Sequence, residues 1–434
     1  MLNWVEEHLM SPLARIAQNR YLQSIRDAFV IFALPVILTG AIFLIIANPP
    51  TSLDWGIIDA WTKAIEPILP QILFPFYLTF GIMALTVSFG VGYSLASRYD
   101  GMDSVMAGIL SMLAFFLTAF PVVDITQISF GEVLNYLGGQ GLFVAIILGI
   151  FTTEGMRWLQ KSGLSIKMPD GVPPYVLRTF NSLVPFMLII PTVWALSWIV
   201  WANFGVTIPQ LVLDLFSPLV AASNSYWAAL GMIVLMMLLW SMGIHGMNVV
   251  SSVAYPFWMT QLAQNVDAVN AGVKATGIVT EPFFHMFAHL GGSGATFGLA
   301  FLMLMSKSQQ LKQIGKTSII PNFFNINEPV IFGLPIVLNP FMMVPFILAP
   351  AVIVTINYIL FATGIIPPVI VQPPFTVPIF FGGFIATGGS VLAGLLQIVD
   401  IIIATLIYYP FFKRYEKSLI GKEIIESENS IPAS

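Results

Sequence analysis

The chain has 434 residues, 57% hydrophobic and 9% charged, with a formal net charge of −4, no cysteine and four histidines. A soluble domain carries about a quarter of its residues as charges, so this composition excludes a water-soluble globule and calls for many membrane spans. It also excludes disulfides, thiolate metal sites and a cysteine nucleophile, offers no basic stripe for nucleic acid, and with no HExxH gives no sign of a dedicated metal site.

Residues 1–26 are mixed polar, with Glu6, Glu7, Arg15, Arg20 and Arg26, and show no cleavable signal pattern. Apolar stretches then predict spans over 27–48, 72–97, 104–123, 141–159, 182–203, 226–244, 291–306, 340–363 and 391–412, each long enough, or nearly so, to cross a bilayer of ~30 Å. Three further stretches, 246–290, 317–338 and 367–389, are apolar but broken by Pro, Gly, Asn and His. They predict discontinuous helices and re-entrant hairpins, which are tolerated only inside protein or beside a watery cavity. Cations cluster at Arg15, Arg20 and Arg26, at Arg98, at Arg157, Lys161, Lys167 and Arg178, at Lys307, Lys312 and Lys316, and at Lys413, Arg414, Lys417 and Lys422. The intervening loops 49–71, 124–140 and 204–225 hold only Lys63. This asymmetry predicts both termini in the cytoplasm, hence an even number of crossings.

The expected fold is therefore an all-α polytopic membrane protein with about ten transmembrane helices, one of them within 246–290, plus re-entrant hairpins. Residues 161–180 predict a cytoplasmic turn and a short amphipathic interfacial helix. That segment divides an N-terminal transmembrane domain, 1–160, from a C-terminal one, 181–415, which holds all the interrupted segments and is expected to bind substrate. Residues 416–434 read as a polar, acidic and disordered tail.

Between Lys316 and Asp400 only Glu328 carries a formal charge. An isolated carboxylate in lipid costs on the order of 3 kcal/mol, so it is read as lining a polar cavity, with Asn325 and Asn327 as amide neighbours. His245, in Gly243-Ile244-His245-Gly246, sits at the cytoplasmic end of a span, where an imidazole can hydrogen-bond a hydroxyl or take its proton. Trp240 lies one turn before it, as aromatic platform or lipid-belt residue, and Asn248 follows. Glu281, His285 and His289 recur at i, i+4 and i+8 and share one helical face. A metal site needs further ligands and closed geometry, so a polar face toward a cavity is preferred. The run Gly291-Gly292-Ser293-Gly294 forms either a backbone-amide nest or a tight packing surface. The proline-rich 364–378 stretch cannot be a plain helix, and its Phe375 serves core packing or stacking. Carboxylate, imidazole, amides and aromatics together suit a neutral polyhydroxylated ligand.

Gly243-Ile244-His245-Gly246, Leu290-Gly291-Gly292-Ser293-Gly294-Ala295-Thr296, Asn325-Ile326-Asn327-Glu328-Pro329 with Phe332-Gly333-Leu334-Pro335, and Gly364-Ile365-Ile366-Pro367-Pro368 occur in one order. In this the chain, over residues 1–420, resembles the enzyme IIC component of the bacterial phosphoenolpyruvate-dependent sugar phosphotransferase system, lactose/cellobiose/diacetylchitobiose branch. The resemblance implies a homodimer in the cell membrane, with a substrate domain moving against a dimerisation domain. It implies a sugar phosphorylated on its 6-hydroxyl by a phosphocysteine of enzyme IIB, with enzyme IIA behind it. It puts His245 and Glu328 at the sugar, with their order as base left open, and makes Trp240, Asn248, Gly292, Ser293, Asn325, Asn327, Phe375 and Thr376 the expected substrate contacts. No cofactor, nucleotide or metal is implied, and the missing cysteine implies a separate IIB chain. Where the family has Pro-Trp-Thr this sequence has Pro374-Phe375-Thr376, which leaves the sugar open; the Gly-Met-Asn after His245 leans to a β-linked glucose disaccharide. The alternatives are a proton-coupled symporter using Glu328 and His245 as relay, and a non-catalytic membrane receptor.

Overall fold

The structure, a computed structural model, describes residues 18–49, 56–123, 125–164, 174–334, 336 and 340–429, and among them every regular element is a helix. Expectations on Arg15, on Lys167 and the turn after it, and on Pro335 lie outside the described residues. The helices are α1 (Arg20–Ala47), α2 (Gly56–Ala96), α3 (Ser104–Thr118), α4 (Phe130–Leu137), α5 (Gly139–Lys161), α6 (Pro174–Phe204), α7 (Ile208–Ser223), α8 (Tyr226–Ser241), α9 (Gly246–Asn270), α10 (Glu281–Phe287), α11 (Phe297–Leu304), α12 (Gln309–Phe323), α13 (Glu328–Gly333), α14 (Pro340–Ala362), α15 (Phe381–Ala386) and α16 (Val391–Asn429). Among the described residues six helices are long and apolar enough to cross a bilayer: α1, α2, α5, and the apolar parts of α6, α14 and α16. The α7–α8 pair, bent by 73°, qualifies jointly. α9 has 25 residues, about 37 Å of helix, and lies where a crossing within 246–290 was expected, but it is not among the helices apolar enough to cross by composition.

Four expectations change. The loop 204–225 is largely helical: Thr207 caps α7 through its hydroxyl, and Pro209 occupies the first turn, where a missing N–H costs nothing. The span 291–306 is instead a glycine turn followed by α11, whose eight residues reach only about 12 Å. Residues 174–180 are not a separate interfacial helix; they are the opening turns of the 31-residue α6. The acidic tail is helical as far as Asn429.

That last helix shows how the fold is sewn together. Leu395, Ile398, Val399, Ile402 and Leu406 are exposed on one face of α16, as lipid contact requires. Ala393, Gln397, Asp400, Ala404, Tyr408 and Phe412 are buried on the other, at the three-to-four spacing of a helical seam. The seam's polar members serve broken helices. Gln397 Nε2 donates to the Met286 carbonyl, Gln397 Oε1 accepts the Gly383 N–H, and the Tyr408 hydroxyl donates to the Gly294 carbonyl. Helix ends inside a bilayer have no water to satisfy them, so the Gln397 amide is what allows α10 to stop and α15 to begin where they do. Further on, Glu416 accepts from the Ser306 hydroxyl at 2.6 Å and the Lys307 N–H at 2.9 Å. Glu423 accepts from the Ser308 hydroxyl at 2.6 Å and from the Gln309 and Gln310 N–H groups. Two carboxylates seven apart thus clamp the start of α12.

Candidate functional site

Three breaks in helical structure meet at one cavity of about 270 Å³, near the lower end of small-molecule sites. The first break is Gly243–Gly246, between α8 and α9. Gly246 packs so tightly that a Cβ there would stand 2.0 Å from the Met236 carbonyl oxygen. The second is the glycine turn after α10, and the third is the Asn325–Asn327 turn between α12 and α13. The extended segment through Gln372, Pro373 and Phe375 closes the wall, and α1 contributes only Val30 and Leu34.

Nine of the ten expected residues line this cavity: Glu328, His245, Trp240, Asn248, Asn325, Asn327, Gly292, Ser293 and Phe375. Thr376 does not; it is half-buried beside the wall. Glu328 is exposed to the cavity, and its carboxylate has neither a hydrogen bond nor an ion pair among the described residues. His245 caps α9, its Nδ1 accepting the Asn248 N–H at 3.2 Å. With Nδ1 committed as acceptor, the neutral ring carries its proton on Nε2. Trp240 lies against the imidazole, ring centroids 4.4 Å apart, which favours the platform over the lipid-belt reading.

The asparagines have a different job from the one their position suggests. Asn327 is buried, and its Nδ2 donates to the Ser293 carbonyl at 2.6 Å and the Thr296 hydroxyl at 2.9 Å. Asn325, at φ +61°, a value asparagine tolerates, accepts the Gly291 N–H through Oδ1 and donates to the Phe375 and Val377 carbonyls. One turn therefore staples both neighbouring loops. Gly292 is the matching concession: at φ +92° its Cβ would lie 2.4 Å from Asn327 Cγ. The glycine run is thus a close-approach surface for Asn327, not a free nest.

Glu281 and His285 both face the cavity and pair with each other, Oε1 to Nε2 at 3.2 Å. The His285 ring also lies 6.1 Å from Phe375. His289 falls beyond the end of α10. Among the described residues no three His, Cys, Asp or Glu groups converge as a metal site. Three residues that line the cavity also carry a buried polar atom with no partner, Trp240 Nε1, His289 Nε2 and Gln372 Oε1, and such atoms are costly to leave unpaired.

Gln372, Ser251, Tyr255 and Met247 were not anticipated as site residues. Met247, Ser251 and Tyr255 follow at i, i+4 and i+8, a stripe legible once 246–270 is taken as a single helix. Gln372 sits in extended chain and carries no local signal.

With this geometry in hand, comparison with known proteins is informative. The family description "Phosphotransferase system, EIIC" matches residues 26–350. The lichenan permease IIC component of Bacillus subtilis (strain 168) is 38% identical over 431 residues, covering 96% of this chain and 94% of that protein. The cellobiose-specific EIIC component of Geobacillus stearothermophilus is 38% identical over 437 residues, covering 97% and 96%. The crystal structure of the transporter ChbC, the IIC component from the N,N'-diacetylchitobiose-specific phosphotransferase system, superposes with a TM-score of 0.88 at 34% identity, covering 97% of this chain and 99% of that one.

Proposed function

This chain belongs to the EIIC family of the phosphotransferase system, and from that premise we propose that it carries a β-linked glucose disaccharide across the cell membrane for phosphorylation on its cytoplasmic side. It is the multi-pass membrane subunit of a sugar phosphotransferase. The observation that carries the reading is the cavity itself: a free carboxylate beside an imidazole, among polar and aromatic side chains. The donor at His245, the acceptor at Glu328 and the free amide of Asn248 suit the hydroxyls of a sugar, while Phe375 covers its C–H face.

The tautomer of His245 supports one division of roles. Its Nε2–H is a donor, so it orients the sugar hydroxyl or the incoming phosphoryl oxygen and does not take the hydroxyl proton. Glu328 is then the base. As the sugar 6-oxygen bonds to phosphorus, its proton passes to Glu328, the S–P bond of an enzyme IIB phosphocysteine breaks, and the thiolate leaves on that partner. These 434 residues hold no cysteine, so the phosphoryl group comes from a IIB component outside them, itself recharged by IIA from phosphoenolpyruvate. Residues 1–160 act as the dimerisation scaffold, residues 181–415 as the moving sugar domain, and both termini face the cytoplasm.

The test uses sealed membrane vesicles. Sugar phosphate should accumulate inside only when phosphoenolpyruvate and the soluble phospho-carriers are supplied. Free sugar concentrated by a proton gradient, with the carriers absent, would overturn this reading in favour of symport.

A further inference from the structure

Outside the cavity, three buried side chains among the described residues keep an unpartnered polar atom, Trp258, Asn357 and Asp400, and the last two are bonded to each other. Asn357 of α14 and Asp400 of α16 are both 0% exposed. Asn357 Nδ2 donates to Asp400 Oδ2 at 2.9 Å and to the Phe287 carbonyl at 2.8 Å, which uses both amide hydrogens and one carboxyl oxygen. Asn357 Oδ1 and Asp400 Oδ1 remain without a partner. No cation pairs with Asp400 among the described residues.

An ionised Asp400 would be an unpaired charge in lipid-embedded protein, beside a second oxygen that also lacks a donor. Two stranded acceptors in one bonded pair signal a missing hydrogen. We propose that Asp400 is a resident proton-binding site: an uncharged acid in a cyclic acid–amide pair with Asn357 that positions the cavity-forming helix α10. Asp400 Oδ1–H donates to Asn357 Oδ1, one Asn357 N–H returns to Asp400 Oδ2, and the other caps the Phe287 carbonyl at the end of α10. That helix presents Glu281 and His285 to the cavity and leads directly to His289. The α10 end is held twice, by Asn357 at Phe287 and by Gln397 at Met286. Asp400 fixes the plane of the first of these amides, so it acts on the site through Asn357 and touches no substrate. The positioning half of this inference deepens the sugar-transport reading and rests on it; the protonation half does not.

The experiment compares full-length wild type, Asp400→Asn, Asp400→Leu and Asn357→Leu in one lipid mixture. In the infrared difference between wild type and Asp400→Asn at neutral pH, a protonated-carboxyl C=O band should belong to wild type alone. Absence of that band overturns the protonated acid, whatever the transport data show. Asp400→Asn preserves a neutral cyclic pair and should keep kcat/KM within about threefold. Asp400→Leu and Asn357→Leu should lower it by about 10- to 100-fold, mostly through weaker sugar binding. A folded Asn357→Leu protein with wild-type sugar affinity overturns the positioning role, as does an Asp400→Asn protein as impaired as Asp400→Leu. If wild type itself moves no sugar, the functional reading falls while the infrared band still decides the state of Asp400.

Discussion

Replacing Gly292 with alanine should damage this protein more than the size of a methyl group suggests. The residue sits at φ +92°, and the new Cβ would lie 2.4 Å from Asn327 Cγ, 2.6 Å from its Oδ1 and 2.7 Å from its Cβ. The backbone strain is about 1–3 kcal/mol, and overpacking adds about 1–3 kcal/mol. The total of about 2–6 kcal/mol is large beside a typical stability of roughly 5–15 kcal/mol. Asn327 cannot swing aside without releasing Ser293 and Thr296, which it holds at 2.6 and 2.9 Å. Asn327→Gly removes all three clashing atoms and strands the buried Ser293 carbonyl, at about 1–3 kcal/mol, while the Thr296 hydroxyl keeps its bonds to the Gly291 carbonyl and Asn322 Oδ1. In the double variant the steric part disappears while the backbone strain stays. It should therefore be more stable than the sum of the singles by about 1–3 kcal/mol. Equilibrium unfolding of the four proteins in one detergent, with sugar binding as a second readout, measures this. Full additivity, or a Gly292→Ala protein as stable as wild type, would refute the close-approach account of the glycine turn.

Glu328→Gln should lower kcat for phosphoryl transfer by about 10²–10⁴-fold, with sugar binding largely kept, in a single-turnover assay with phosphorylated IIB. His245→Ala should lose both the cavity donor and the α9 cap, the cap alone being worth about 0.5–2 kcal/mol in thermal unfolding. His245→Asn restores the cap and one N–H donor and should recover stability and part of the activity, an outcome that a base role for His245 forbids. Phe375→Ala should raise the sugar Kd by about 2- to 12-fold, the worth of one stacking contact, as isothermal calorimetry would read it. At the clamp, the Ser308 hydroxyl and the Gln310 and Gln309 N–H groups hold the Glu423 carboxyl below its ordinary 4.5. Its contribution is therefore complete above that value and is lost as pH falls through the lower folded one. The protection factors of the amides at the start of α12, taken relative to the intrinsic exchange rate at each pH, should fall in acid for wild type, and Glu423→Gln should show the lowered protection already at neutral pH.

Much of the site could be seen in one dimension because membranes penalise charge. Glu328 stands alone in a long uncharged run, and a histidine in Gly243-Ile244-His245-Gly246 at the foot of a span has few structural uses. The helix Ile208–Ser223 was hidden because Asp214, Pro209 and Pro218 make its hydropathy resemble a loop, although Pro209 falls where a helix begins. Asn325 and Asn327 could be located but not interpreted: whether an amide reads substrate or holds a neighbouring loop depends on which carbonyls lie within 3 Å, and those come from residues about thirty to fifty positions away. Gln372 was invisible for the same reason. The acidic tail looked solvated because its partners, the N–H groups that open α12, have no sequence signature at all.

The carboxylate clamp on α12 has a mechanical corollary. The helix has 15 residues, so it is a stiff rod of about 22 Å, with Glu416 and Glu423 gripping one end and the asparagine turn at the other. A rod transmits displacement with little loss. Whatever binds, pulls or modifies the final helix near Glu423 is therefore geared to the turn that leads into Glu328, and the last helix of the chain doubles as a handle on the cavity wall.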